Sequence, residues 1–105
     1  MLCADLIDVY WMDHSGRSRS ALANLEDISP SGACIQMDNS VPLETLLRLT
    51  HAKTEMRGRV RYCVFRDTGY FLGIDFEPGC RWTRSRFRPK HLLDPRELVR
   101  ACATK

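Results

Sequence analysis

A chain of 105 residues is long enough for one hydrophobic core and too short for two, so we expect a single domain over residues 1–105. Hydrophobic residues make up 44% and charged residues 28% of the sequence, a balance that excludes a disordered or collagen-like chain. The formal net charge of +3 is too small to indicate nucleic-acid binding, and no stretch approaches the roughly 18 apolar residues of a membrane span, so neither partner is expected.

The five cysteines stand at long, unequal spacings, and no two form a Cys-x-x-Cys pair. An odd number of cysteines and the lack of a secretory pattern at the start favour reduced, mostly buried thiols. We therefore expect a cytoplasmic protein.

Turn-forming residues divide the first part of the chain into strands. Residues 4–12 are rich in β-branched and aromatic side chains and run into the turn residues 13–16, which indicates a strand and a hairpin turn. The chain is expected to return as a second strand over residues 17–28. Pro30, which lacks an N–H donor, and Gly32, which permits positive φ, then interrupt the sheet.

Alternation of apolar and polar residues predicts the later strands. Residues 33–37 and 56–64 alternate clearly, and residues 70–76 follow the turn 67–69, so the last two segments predict a β-hairpin with a wet, basic face on its first strand. The leucines of residues 43–50 suit a helix or a strand, and we favour a strand beginning near Leu46. The predicted core-facing residues are Ala33, Ile35 and Met37, then Met56, Val60, Tyr62 and Val64, then Tyr70, Leu72, Ile74 and Phe76.

These elements predict a mostly-β fold, a small six-stranded antiparallel barrel over about residues 4–77. A C-terminal helical segment is expected over about residues 78–105, with Pro89 limiting any helix there to short pieces. Asp94 as N-cap and Pro95 at the first helical position predict a terminal helix from near Asp94.

Residues 27–33 (DISPSGA) stand between two predicted strands and resemble the (Asp/Asn)-x-Ser-x-x-Gly signature of the PilZ family of cyclic di-GMP receptors. Residues 58–62 (GRVRY) and 69–76 (GYFLGIDF) resemble that family's later strands, in the same order. The resemblance covers roughly residues 4–77. It implies a PilZ-like barrel that binds the ligand cyclic di-GMP and signals to a downstream protein partner.

The family's signature loop contacts a guanine and a ribose of the ligand. The resemblance therefore implies that Asp27 accepts hydrogen bonds from guanine N–H groups, that Ser29 hydrogen-bonds nearby, and that Gly32 lets the backbone come close. The residues by themselves also suit a plainer interpretation, in which Asp27 and Ser29 satisfy loop amides and Gly32 supplies the turn conformation.

The two phosphates of this ligand need cations, and the family supplies them from an Arg-x-x-x-Arg motif ahead of the first strand, where this sequence has only residues 1–3. Three explanations stay open: a truncated start, arginines from elsewhere, or loss of the ligand. Arg84 and Arg88 have the required spacing and are our preferred ligand-binding arginines. Arg17 and Arg19 are the alternative, although they precede the loop by eight residues or more at ~3.3 Å per residue.

No catalytic or metal-binding pattern is evident, so we expect neither an enzyme nor a cofactor. His14, His51 and His91 lie in unrelated segments without a nucleophile motif, and the spacing of Cys80, His91 and Cys102 matches no zinc site. The alternative function is a PilZ-like protein-interaction adaptor that does not bind the nucleotide.

Overall fold

The computed structural model describes residues 2–80 and 92–93, with side chains from residue 5 to residue 80. Within these residues every element is a strand, and every strand pairing is antiparallel. The strands are β1 (Leu2–Met12), β2 (Ser18–Ile28), β3 (Gly32–Met37), β4 (Leu46–His51), β5 (Thr54–Arg66), β6 (Gly69–Phe76) and the two-residue β7 (Leu92–Leu93).

The first six strands close into a barrel. Their order is β2-β3-β6-β5-β4-β1, and β1 pairs back with β2 along its whole length, from Leu2 opposite Asp27 to Met12 opposite Ser18. Closure gives each of these six strands a paired strand on both sides over at least part of its length. The mostly-β fold and the six-stranded antiparallel barrel are therefore confirmed, with strands where the sequence places them.

The short strand β7 departs from the prediction. Leu92 and Leu93 were expected to belong to the helical segment, but they pair with the start of β1. The reason is that β4 pairs with β1 only from Asp8 to Tyr10, which leaves the beginning of β1 with an open edge. Residues 78–80 are not helical either, and the helix predicted from Asp94 lies outside the described residues.

The hairpin turn between β1 and β2 is built on Asp13. Its Oδ1 atom accepts hydrogen bonds from the backbone N–H groups of Ser15 and Arg17, both at 3.0 Å, and from the Ser15 hydroxyl at 2.6 Å. The bond from the Ser15 hydroxyl, followed by that from the Arg17 backbone, lowers the pKa of Asp13. Gly16 completes the turn at φ 81°, which is open to glycine without steric cost.

The core is entirely apolar in the part of the chain that the structure describes, and each of the six barrel strands contributes to it. The inward positions predicted for β3 and β6 are confirmed. Ile35, Met37, Leu72 and Ile74 are buried, and the other predicted inward residues are partly buried and pack against the core: Ala33, Tyr70 and Phe76. The buried residues are Ile7, Val9, Trp11, Ala23, Leu25, Ile28, Ile35, Met37, Val41, Leu47, Leu49, Met56, Val60, Leu72 and Ile74.

A β-bulge in β5 changes which side chains face outward. Val60 pairs with Ile74, but the next pair along the strands is Tyr62 with Gly73, so that Arg61 is an extra residue. An extra residue reverses the inward and outward alternation of everything that follows it.

The sequence-based assignment of the β5 core face is wrong beyond this bulge. Met56 and Val60 are buried as predicted, but Tyr62 is 46% exposed and Val64 is 41% exposed. Cys63, which the alternation placed outside, packs against the core instead. The unbroken alternation of the sequence concealed the change of register.

A second bulge lies in β2. Leu25 pairs with Ile35, and the next pair is Asp27 with Cys34, so that Glu26 is the extra residue. The Asp27 side chain is consequently on the outer surface of the barrel, although the buried Leu25 stands only two positions before it.

We predict that Leu25→Ala lowers the free energy of unfolding by about 2–5 kcal/mol, because the side chain is fully buried and its loss leaves a cavity. Leu22→Ala on the same strand is the matched control: that side chain is 59% exposed, so a change within about 0.5 kcal/mol is expected. Urea denaturation measures both. Equal effects of the two substitutions would contradict the inward and outward assignment of β2.

Candidate functional site

A row of four residues crosses the outer surface of four neighbouring strands. Asp27 on β2 is opposite Cys34 on β3, Cys34 is opposite Gly73 on β6, and Gly73 is opposite Tyr62 on β5. The two ends of this row are the residues that the bulges turn outward. We call these four residues the outer row.

A cavity of ≈ 260 Å³ opens over the outer row. Pockets that enclose a whole small-molecule ligand usually measure about 300–1,000 Å³, so this one suits a single planar group rather than a dinucleotide. Besides the outer row, its lining consists of Ser29, Ser31, Gly32, Ala33, Arg61, Ile74 and Asp75.

The loop between β2 and β3 is held by Ser29. The Ser29 backbone N–H donates to the Gly32 carbonyl at 2.8 Å, and the Ser29 hydroxyl both donates to that carbonyl and accepts from the Gly32 N–H at 3.2 Å. These contacts agree with the plainer interpretation of Ser29 as a residue that satisfies the loop backbone. Its hydroxyl still borders the cavity.

Gly32 is required for a reason other than the predicted one. Its φ is not positive, so the expectation that it supplies a left-handed turn conformation is wrong. A Cβ atom at this position would instead overlap the backbone carbonyl oxygen of Ile74 on β6. Glycine therefore permits close contact between β3 and β6 directly below the cavity.

Tyr62 closes the other side of the cavity. Its ring lies across Gly73, where a Cβ atom would overlap the ring carbons, and its hydroxyl donates to the Cys34 Sγ atom at 3.5 Å. That hydrogen bond, and then burial, raises the pKa of Tyr62; the Asp27 carboxylate adds to the rise, and Arg66 opposes it. Tyr62 is thus an ordered aromatic side chain within electrostatic reach of Asp27.

Arg61, the bulge residue of β5, is paired with two carboxylates. Its Nε atom donates to Asp75 at 2.6 Å, and its terminal nitrogen donates to Glu44 at 3.1 Å. The hydrogen bond to Asp75, followed by the charge of Glu44, raises the pKa of Arg61. Among the described residues that line the cavity, Arg61 is the one cation, and its charge is therefore already balanced within the barrel.

Two further arginines of β5, Arg57 and Arg59, are also matched by carboxylates. Arg59 lies 3.6 Å from Glu77 and donates to the Glu44 carbonyl at 3.0 Å, and Arg57 lies 3.8 Å from Glu55. The predicted wet face of β5 is confirmed as solvent-exposed. The surface formed by Arg57, Arg59 and Arg61 is charge-balanced rather than basic. Exposed ion pairs of this kind add little to the stability of the fold.

The structure brings together three of the five predicted site residues. Asp27, Ser29 and Gly32 line one cavity, whereas Arg84 and Arg88 lie outside the described residues. The alternative arginines, Arg17 and Arg19, are in or beside the first hairpin turn, where Arg19 lies 3.8 Å from Asp13, at the far end of β2 from the cavity.

Sequence reasoning missed Tyr62, Gly73, Arg61 and Asp75. All four lie in the GRVRY and GYFLGIDF segments that carried the family resemblance, but Tyr62 was assigned to the core. Only the register of β5 against β6 shows that its ring is outside. No sequence pattern marked the bulge.

The sequence predicts reduced, mostly buried thiols. Cys34, Cys63 and Cys80 are free thiols, and each of the three is half-buried. No group of three or more potential metal ligands is found among residues 2–80 and 92–93. Over the same residues, no helix has the length and hydrophobicity needed to cross a membrane.

The comparisons with known proteins matched no protein-family model, no curated protein and no solved structure. The geometry of the cavity therefore carries the functional proposal.

We predict that Ser29→Ala lowers the free energy of unfolding by about 1 kcal/mol, because the Gly32 N–H and carbonyl lose their side-chain partner. Ser31→Ala is the matched control, since within the described part of the chain the Ser31 hydroxyl has one hydrogen-bond contact, with the Ser29 hydroxyl at 3.5 Å. It should leave the stability nearly unchanged. Denaturant titration separates the two variants, and equal losses would contradict the role given to Ser29.

We predict that Cys34→Ala lowers the pKa of Tyr62 toward its ordinary value of about 10, because the raised value depends first on the hydrogen bond to Cys34. With a folded-state pKa above the unfolded one, Tyr62 stabilises the fold below pH ~10 and loses that contribution as the pH rises further. NMR titration of the tyrosine ring measures the pKa. Cys80→Ala, which removes a thiol bonded to the Arg57 N–H, is the control that should leave it unchanged.

Proposed function

We propose that this chain is a PilZ-like receptor domain that binds cyclic di-GMP on the outer surface of the barrel. It catalyses no reaction and signals to a downstream protein in the cytoplasm. The observation that carries the proposal is the position of the Asp27 carboxylate in one cavity with the Ser29–Gly32 loop and the exposed ring of Tyr62.

The chemistry of a carboxylate favours guanine as the base in this cavity. An ionised carboxylate has two acceptor oxygens and no donor, and the N1–H and N2–H groups of guanine are neighbouring donors on one edge. Adenine offers no such pair of donors, and a phosphate would be repelled by the charge of Asp27. The cavity thus suits the base of a guanine nucleotide rather than its phosphate.

The phosphates need a different part of the protein. Asp27 and Asp75 both line the cavity, and Arg61 is already paired with Asp75, so the described lining does not offer net positive charge. A ligand with two phosphates requires additional cations, and guanidinium groups bind phosphate through paired hydrogen bonds. In the proposal, Arg84 and Arg88 supply them.

The second candidate, a protein-interaction adaptor that does not bind the nucleotide, is supported by an adjoining apolar surface. Leu43, Val64 and Phe65 are 60%, 41% and 60% exposed. Leu43 and Val64 line a neighbouring cavity of ≈ 550 Å³, and Tyr62 lines both cavities. Exposed apolar surface of this kind often marks a protein interface.

We predict saturable binding of cyclic di-GMP by calorimetric titration. Asp27→Ala should weaken it about 10- to 100-fold, because hydrogen bonds to a charged acceptor contribute roughly 1.5–3 kcal/mol. Removing the phosphate cations with Arg84→Ala/Arg88→Ala should weaken it at least as much. The matched control is Arg17→Ala/Arg19→Ala, which removes the same charge far from the cavity and should leave the affinity nearly unchanged.

Neither heat nor thermal stabilisation on adding cyclic di-GMP to folded protein would contradict the receptor proposal and favour the adaptor. Normal binding by the Arg84/Arg88 variant would instead show that other residues hold the phosphates. Equal weakening by the two double-arginine variants would indicate an unspecific effect of net charge.

A further inference from the structure

Tyr62 is an exposed side chain that contacts two neighbouring strands. On an open strand surface, a tyrosine with this exposure would be free to change rotamer. Here the glycine directly opposite, Gly73, leaves room for the ring to lie across β6, and the hydroxyl is bonded to Cys34 on β3. An aromatic surface that is already ordered loses little conformational freedom when a ligand stacks on it.

The outer row sets the distance between this ring and Asp27. Neighbouring strands are about 4.8 Å apart, and the Tyr62 side chain extends from β5 across β6 to β3. Asp27 is on β2, the next strand, so about one strand spacing separates the Tyr62 hydroxyl from the strand that carries the carboxylate. A planar base placed over the ring would therefore lie within about one strand spacing of the strand that carries Asp27.

We propose that Tyr62 is the stacking surface for one guanine base, whose N1–H and N2–H groups donate to Asp27. This inference rests on the proposed receptor function and extends it, because it adds Tyr62 as the surface on which the base stacks, while the choice of guanine rests with Asp27 at the opposite end of the outer row. An adenine in the same place would bring its N1 atom, a hydrogen-bond acceptor, against the carboxylate oxygens, which are acceptors too. The adenine N1 atom would then have no hydrogen-bond donor. The cavity of ≈ 260 Å³ has room for one such base.

Four variants test the stacking role. Tyr62→Leu keeps an apolar side chain but removes the ring, and it should weaken the binding of cyclic di-GMP about 5- to 150-fold, the range for loss of one base–aromatic stack. Tyr62→Phe keeps the ring and should bind within about threefold of the wild type. Gly73→Ala keeps Tyr62 but displaces its ring, so it should resemble Tyr62→Leu. Phe65→Leu, an exposed aromatic residue outside the cavity lining, is the control that should not change binding.

Thermal unfolding of each variant checks that it is folded, and NMR titration with GMP and AMP tests the base without the second nucleotide. GMP should give saturable shifts that Tyr62→Leu and Asp27→Ala abolish, and AMP should give much weaker ones. Equal binding of AMP and GMP would overturn the guanine specificity.

The remaining outcomes separate this inference from the proposed function. If cyclic di-GMP binds the wild type and Tyr62→Leu equally well, the stacking role is wrong and the receptor function stands. If GMP binds through Tyr62 while cyclic di-GMP binds no better than GMP, the base site stands and the receptor function fails. If no guanine nucleotide binds to the folded wild type, both are overturned.

Discussion

Two extra residues, Glu26 in β2 and Arg61 in β5, determine which side chains the barrel presents to a ligand. Side chains on a strand alternate with period two, so a strand without its bulge would turn the following residue toward the core. Asp27 would then be a carboxylate inside an apolar core, which is strongly unfavourable unless the charge is paired. The two bulges reconcile a fully apolar interior with a polar outer row, and every feature of the candidate site depends on them.

The rigidity of the site comes from the core beneath it. Leu72 and Ile74 anchor β6 inside the barrel, and between them Gly73 faces outward below the Tyr62 ring. The backbone of Ile74 also meets Gly32, so the strand that supports the ring supports the loop of Ser29 as well. A binding surface built on a closed barrel keeps its geometry without a ligand. Little binding free energy is then spent on ordering the side chains, so a few contacts are enough for selective recognition.

The sequence predicted the strands but not their registers. Turn residues and alternation located all six barrel strands, since those signals are local, and the core faces of β3 and β6 followed correctly from them. The bulge at Arg61 could not be predicted, because Val60, Arg61 and Tyr62 alternate as an unbroken strand would, and only pairing with β6 reveals the extra residue. The motif located Asp27, Ser29 and Gly32. The turn conformation expected of Gly32 is wrong, because this glycine is needed for a contact with a strand more than forty residues away.

The ion pairs of Arg59 and Arg61 on β5 limit what the barrel does alone. Arg59 and Arg61 each have a carboxylate partner, so their use as phosphate ligands would require breaking those ion pairs and leaving Asp75 or Glu77 facing the same phosphate. Under the proposed function, the barrel therefore recognises the base, and arginines that follow residue 80 neutralise the phosphates. The ligand would then contact two parts of one chain at the same time. The difference between its affinity for the arrangement in which both parts contact it and for the arrangement in which they do not would be the free energy available for signalling to a partner.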